Sequence, residues 1–181
     1  SDWNVSNITT MTNMFSGATS FDQDIGGWTV SNVTRMDRMF SGATSFNQDI
    51  SGWNISNVTR MERMFKEATS FNQDISGWDT SKVTEIAFMF SGATSFNQNI
   101  SGWETPLVTS FESMFSGAAA FDQNLGNWDI SSLAIDSEPM SNMFDNSGMS
   151  SENYSNTLIG WDGQGDIPVN ITLGAVGLKY L

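Results

Sequence analysis

The sequence predicts an α/β solenoid, a stack of short parallel strands and short helices, on three observations. Tryptophan recurs every 25 residues, at Trp3, Trp28, Trp53, Trp78, Trp103 and Trp128. One part of each unit carries apolar residues at helical spacing, and another part alternates polar with apolar. Self-similarity at a fixed period of this length marks an array in which each unit buries its apolar face only against its neighbours.

Five regular units start at Trp3, Trp28, Trp53, Trp78 and Trp103, and a sixth, irregular one at Trp128. In the regular units the first methionine lies 8 residues after the tryptophan, as from Trp28 to Met36, whereas Met140 lies 12 residues after Trp128. Ala134 to Pro139 therefore hold a four-residue insertion. We read residues 1–144 as the repeat array and 145–181 as an irregular capping segment that hides the last apolar layer.

The spacing predicts a helix of about two turns in each unit. In the third unit Met61, Met64, Phe65 and Ala68 fall at i, i+3, i+4 and i+7, one face of a helix. Thr59 with Glu62, and Thr109 with Glu112, fit capping boxes. Gly17, Gly42, Gly92 and Gly117 are suited to a left-handed stop, with Glu67 in their place in the third unit. The methionine and phenylalanine rows read as core.

The segment from Phe46 to Ile50 predicts a short strand, with Phe46, Gln48 and Ile50 on one side and Asn47 and Asp49 on the other. Inward glutamines at Gln23, Gln48, Gln73, Gln98 and Gln123 would satisfy one another along the stack. Triplets such as Asn32-Val33-Thr34 and Asn57-Val58-Thr59 have the form of glycosylation acceptors, yet their recurrence reads as the turn and cap of the unit.

The unit Trp-x-Val-Ser-Asn-Val-Thr-x-Met-x-x-Met-Phe-x-x-Ala-x-x-Phe-Asn-Gln-x-Ile, carried almost without gaps by residues 3–127, resembles a subgroup of the BspA-like leucine-rich-repeat bacterial surface proteins. The stretch from Asn142 to Trp161, with Val169 to Ala175 and Leu178 to Tyr180, looks like the ending of such arrays. The resemblance implies a leucine-rich-repeat-like, right-handed array. It also implies an extracellular or cell-surface setting, often one of adhesion, and it implies no catalytic residues.

Composition excludes several classes. Acids outnumber bases 20 to 7, for a net charge of -13, so nucleic acid and anionic membrane surfaces are poor partners. No apolar run approaches the roughly 18 residues of a membrane-spanning helix. Cysteine and histidine are both absent, which removes disulfides, thiolate metal sites and any Ser-His-Asp triad. The chain opens within a repeat at Ser1-Asp2-Trp3, which reads as a mature fragment or a piece of a larger polypeptide, monomeric on its own. The missing signal peptide then says nothing about secretion.

The expected functional surface is the polar strand face. One column reads Asp22, Asn47, Asn72, Asn97 and Asp122, and its neighbour Asp24, Asp49, Asp74, Asn99 and Asn124. In register, the three aspartates of the second column repel one another. A bound cation, raised carboxyl pKa values, a cationic partner or fanning into solvent would offset that. Oxygen ligands suit calcium, so Asp24, Asp49 and Asp74 are its candidate ligands, although no EF-hand or nonapeptide spacing is present. The helix side carries Asn13, Arg38, Arg63, Phe88 and Ser113 in one column, with Phe88 as an exposed apolar spot. The expected function is non-enzymatic binding of a protein or glycan through the strand face. The alternative is a structural spacer with no ligand of its own. A carboxylate glycosidase is disfavoured because no acid pair occupies a unique environment.

Overall fold

The computed structural model describes residues 3–134, 137–165, 168 and 171–178. Ile135-Asp136 of the insertion, and Val169-Asn170 and Lys179-Tyr180 of the C-terminal pattern, lie outside the described residues.

The expected α/β solenoid does not form. Among the described residues there is no β-strand, only isolated parallel bridges from Thr10 to Arg35, Arg35 to Arg60 and Arg60 to Glu85. The described residues form a single helix, α1, Ser151–Asp162, 12 residues long. That is incompatible with a leucine-rich-repeat array, so the BspA-like resemblance is overturned along with the strand–helix fold. With no sheet there is no strand face to contact a protein or glycan. The alternative, a spacer of repeating strand–helix units, falls for the same reason.

What forms instead follows from where the backbone donors go. The segment from Met61 to Ala68 is a run of tight turns, not a helix. Alternate N–H groups leave the segment. Met61, Arg63, Phe65 and Glu67 donate to the carbonyls of Glu85, Ala87, Met89 and Ser91 at 2.7–3.0 Å. Those between them close local turns, Met64 to Met61, Lys66 to Arg63 and Ala68 to Phe65, at 3.0–3.2 Å. The first unit repeats this, with Met11, Asn13, Phe15 and Gly17 donating to Arg35, Asp37, Met39 and Ser41.

Two causes act against the helix. A two-turn helix leaves its first four N–H and last four C=O groups without internal partners. Where such a group is buried between neighbouring units, leaving it orphaned costs a desolvation penalty. The turn ladder pairs alternate donors with the next unit instead. It also requires left-handed residues, which an α-helix does not accept. Asn13, Arg38, Arg63, Phe88 and Ser113 have φ of 51–60°, and Gly17, Gly42, Gly92 and Gly117 have φ of 71–72°. Thr59 caps nothing: its hydroxyl donates to the Thr34 carbonyl of the preceding unit, as Thr109 does to Thr84.

The expected strand fails for a related reason. Asn47, Asn72 and Asn97 spend their backbone N–H on the side-chain oxygen of the residue 25 positions earlier, at 2.9 Å. Side chains, not a backbone ladder, hold this edge. The glutamines do not pair with one another. Gln73, Gln98 and Gln123 donate to the backbone carbonyl and side-chain oxygen of Asn47, Asn72 and Asn97.

The core is a set of ring stacks between adjacent units. Phe65 lies 3.9 Å from Phe71 in its own unit, 5.6 Å from Phe40 and 5.7 Å from Phe90. Trp28 stacks on Trp53 at 6.5 Å and Trp103 on Trp128 at 6.3 Å. The indole N–H of Trp53, Trp78, Trp103 and Trp128 donates to Ile25, Ile50, Ile75 and Ile100. Burying each such ring contributes roughly 1.5–3 kcal/mol. The insertion is absorbed by register: Phe111, Ser113, Phe115 and Gly117 donate to Pro139, Ser141, Met143 and Asp145.

After the sixth unit the pattern continues with other means. Trp161 of α1 donates its indole N–H to Leu125 at 3.0 Å and stacks on Phe144. Phe144 and Asn146 donate to Gly174 and Val176. Gly160 of α1 lies so close to Gly126 that a Cβ on it would sit 2.4 Å from the Gly126 Cα.

Candidate functional site

The first expected column is used up in holding the molecule together. The side chains of Asp22, Asn47, Asn72 and Asn97 each accept the backbone N–H of the residue 25 positions on, ending at Asp122. Asp122 then accepts the Ser150 N–H at 2.7 Å, the Ser150 hydroxyl at 2.8 Å and the Asn153 amide at 2.9 Å. It thereby ties the entry of α1 to the fifth unit. Burial pushes the Asp122 carboxyl up, but those three hydrogen bonds together outweigh it, so it lies below its ordinary value.

The second column turns inward on its own chain. Asp24, Asp49, Asp74, Asn99 and Asn124 each accept the N–H two residues on, from Gly26, Ser51, Ser76, Ser101 and Gly126, at 2.9–3.0 Å. The Ser51 hydroxyl and N–H hold the Asp49 carboxyl below its ordinary value, and the N–H and hydroxyl of Ser76 do so for Asp74. The repulsion from Asp49 is the smallest influence on Asp74. At Asp49 and Asp74 local hydrogen bonds to the charged form thus outweigh the like-charge neighbour. Nor do Asp24, Asp49 and Asp74 assemble a calcium site. Among the described residues no group of three or more acids could hold a metal ion.

A second charged cluster lies on the edge of the isolated bridges. Buried Asp37 sits between Arg35, 3.1 Å away, and Arg60, 3.5 Å away. Arg60 also reaches Glu85 at 3.7 Å, and Arg63 pairs with Glu62. Every cation here is matched by an acid, so the cluster is neutralised internally. Phe88 is half-buried under the Arg63 guanidinium, 4.4 Å from its ring centroid, and is not an exposed apolar spot. Asn32 and Asn57 donate their amide N–H to Ser6 and Ser31, so the Asn-Val-Thr triplets also bind unit to unit.

The concave surface with unspent chemistry lies elsewhere. A hollow of about 650 Å³ is lined by Gly126, Asn127, Asp129, Ser131, Ile159, Gly160, Gly163 and Gln164. A second, of about 420 Å³, is lined by Ser101 to Pro106 and shares Asn127 and Asp129. The two adjoin at Asn127 and Asp129, which line both. Their walls bring Glu104 and Asp129, and no Lys or Arg is among the described lining residues. Ile159, which is 70% exposed, adds an apolar wall. The Ser131 hydroxyl at 2.6 Å and N–H at 2.9 Å hold the Asp129 carboxyl below its ordinary value, so it is ionised at neutral pH. Gln164 fixes the far wall by donating to Gly126 and Trp128.

Sequence reasoning placed none of these groove residues in a site. Two signals point there. Gly160 sits inside a helix, where glycine costs about 1 kcal/mol and signals a close approach. Asn127 stands where the regular units have Gly27, Gly52, Gly77 and Gly102.

No helix of the described residues is long and apolar enough to cross a membrane. The family model described as "Mycoplasma protein of unknown function, DUF285" matches residues 1–86 and 50–161. No curated protein and no solved structure matches the chain.

Proposed function

Taking as premise that the chain belongs to this DUF285 family, whose function is not known, we propose that it binds, without catalysis, a cationic and partly apolar polypeptide segment in the groove between the last units and α1. The observation that carries this is the pair of adjoining hollows, one with Glu104 and Asp129 on its walls and the other with Asp129 and Ile159, with no Lys or Arg among the described lining residues. The larger hollow alone falls within the roughly 300–1,000 Å³ of ligand sites. A lysine or arginine would face the two acids, and an adjoining apolar side chain would cover Ile159. The groove has no acid–base pair set apart for proton transfer. Asp129 is held ionised, which disfavours it as a proton donor near neutrality. The setting we propose is extracellular or at the cell surface, supported by a composition free of cysteine.

The test must separate the groove from the field of a chain with net charge -13. A fluorescent peptide alternating lysine and leucine is titrated against two double variants that remove equal charge. Glu104→Gln with Asp129→Asn is expected to weaken binding about fivefold or more, a coupling of about 1 kcal/mol. Asp24→Asn with Asp49→Asn is expected to change it less than about twofold, as screened distant charges do. Equal losses in both would remove the groove from the account.

A further inference from the structure

We propose that the segment bound between the last units and α1 is recognised as an apolar–basic–apolar run: one aliphatic side chain on Leu107, a lysine or arginine on Glu104, and a second aliphatic side chain on Ile159. This rests on the binding reading above. It adds the order of the ligand's residues and the carboxylate that takes the cation.

The fifth unit departs from its neighbours at three linked positions. The residue after the tryptophan is Asp79 in the fourth unit, Glu104 in the fifth and Asp129 in the sixth. Two residues on, Ser81 and Ser131 donate both hydroxyl and N–H to Asp79 and Asp129, at 2.6–3.1 Å. The fifth unit has Pro106 there, with neither hydroxyl nor N–H to give. One residue further the units carry Asn7, Asn32, Asn57, Lys82, Leu107 and Ser132. The Ser81 hydroxyl and N–H, and last the charge of Lys82, hold the Asp79 carboxyl below its ordinary value. Glu104 has Leu107 in the place of that lysine. Its backbone carbonyl accepts the Thr80 hydroxyl, but its carboxylate has no partner among the described residues.

A single exposed leucine needs no explanation. Here the loss of a cap, the loss of a cation and the gain of an apolar side chain coincide on the wall of a hollow. Glu104 and Pro106 line the smaller hollow, Ile159 lines the larger, and Asp129 lines both. Leu107, 47% exposed, follows directly on Pro106, and Ile159 is 70% exposed. Two acids therefore lie between two apolar points. Asp129 already gives its Oδ1 to both Ser131 groups, so Glu104 is the carboxylate with both oxygens open. An ammonium or guanidinium brought by the ligand supplies there the charge-assisted partner that the fifth unit lacks.

Two fluorescent peptides of equal composition separate order from charge: Leu-Ser-Lys-Ser-Lys-Ser-Leu and Lys-Ser-Lys-Ser-Leu-Ser-Leu, both with blocked ends. The first is expected to bind the full chain about fivefold tighter. Leu107→Asn, which restores the residue of the first three units, should remove that preference, and so should Leu107→Ser, the residue of the sixth. Glu104→Gln should weaken the first peptide about fivefold, and Asp129→Asn less than about twofold. The double variant of Glu104 and Asp129 judges the groove itself: if it costs no more than Asp24→Asn with Asp49→Asn, both readings fall. If the double variant weakens binding but the two peptides bind alike, or both Leu107 variants keep the preference, or Asp129→Asn costs as much as Glu104→Gln, this proposal alone is overturned.

Discussion

Glu67 holds a φ of 58° where Gly17, Gly42, Gly92 and Gly117 hold 71–72° in the other units. A side chain in this region costs about 1–2 kcal/mol. Glycine would relieve that strain and give back part of it, about 0.5–1 kcal/mol, through a freer unfolded chain. Glu67 pairs with Lys66 at 3.5 Å, but the pair is solvent-exposed and contributes little. Glu67→Gly is therefore expected to stabilise by up to about 1 kcal/mol in denaturant unfolding, and a loss of stability would contradict the assignment. At Asp49 the outcome turns first on the acceptor, with a smaller share from the charge that the Ser51 hydrogen bonds favour. Asparagine keeps an oxygen for the Ser51 N–H and alanine does not. Asp49→Asn should melt slightly below the parent temperature and Asp49→Ala further below it. The sequence shows the aspartate column but not this use, because an Asx turn and an open carboxylate row have the same letters. Asp122 sets a pH dependence. Its folded pKa lies below the ordinary 3.8, so its contribution is fully present above that value and is lost as pH falls through the folded pKa. Melting followed from pH 6 to pH 2 should show that loss, and Asp122→Asn should reduce it, leaving the part carried by Asp49, Asp74, Asp79 and Asp129.

At the scale of elements, α1 replaces a unit. Trp161 occupies the place of the earlier tryptophans, donating to Leu125 as Trp128 does to Ile100. Trp161→Phe keeps the ring and removes one of the two donors to the Leu125 carbonyl, which still accepts the Trp128 N–H at 3.0 Å, so the cost should be that of one lost hydrogen bond, about 0.5–1.5 kcal/mol. Gly160→Ala tests the packing. Alanine would gain about 1 kcal/mol of helix propensity. Its Cβ would nevertheless fall 2.4 Å from the Gly126 Cα and 2.6 Å from the Gly126 carbonyl oxygen. Overpacking of that kind costs roughly 1–3 kcal/mol, so a net loss is expected in thermal unfolding. A variant more stable than the parent would mean that the helix stands further off. The element types were the least legible part of the sequence. The spacing of Met61, Met64, Phe65 and Ala68 buries all four in consecutive tight turns, just as it would in a helix. Periodicity alone does not separate the two, and the left-handed Arg63 has no sequence signal of its own. The Asn47 column was read as the outer face of a strand, yet its side chains replace the strand's backbone ladder.

At the scale of the whole molecule, the 25-residue period and the places of the core rings were legible, because both depend on residue type at fixed intervals. The groove was not, since it arises where α1 meets the sixth unit and its residues lie about 30 positions apart. Interior substitutions should therefore act on adjacent units together. Phe65 touches both Phe40 and Phe90, and Phe65→Ala should cost about 3–5 kcal/mol in one cooperative transition. The fold rests on a single claim, that alternate N–H groups leave each unit for the next. NMR couplings across hydrogen bonds read donors and acceptors directly. The amide nitrogen of Phe65 should couple to the carbonyl carbon of Met89, and that of Phe40 to the carbonyl carbon of Met64. Coupling of the Phe65 nitrogen to the Met61 carbonyl, the bond of an α-helix, would contradict the account.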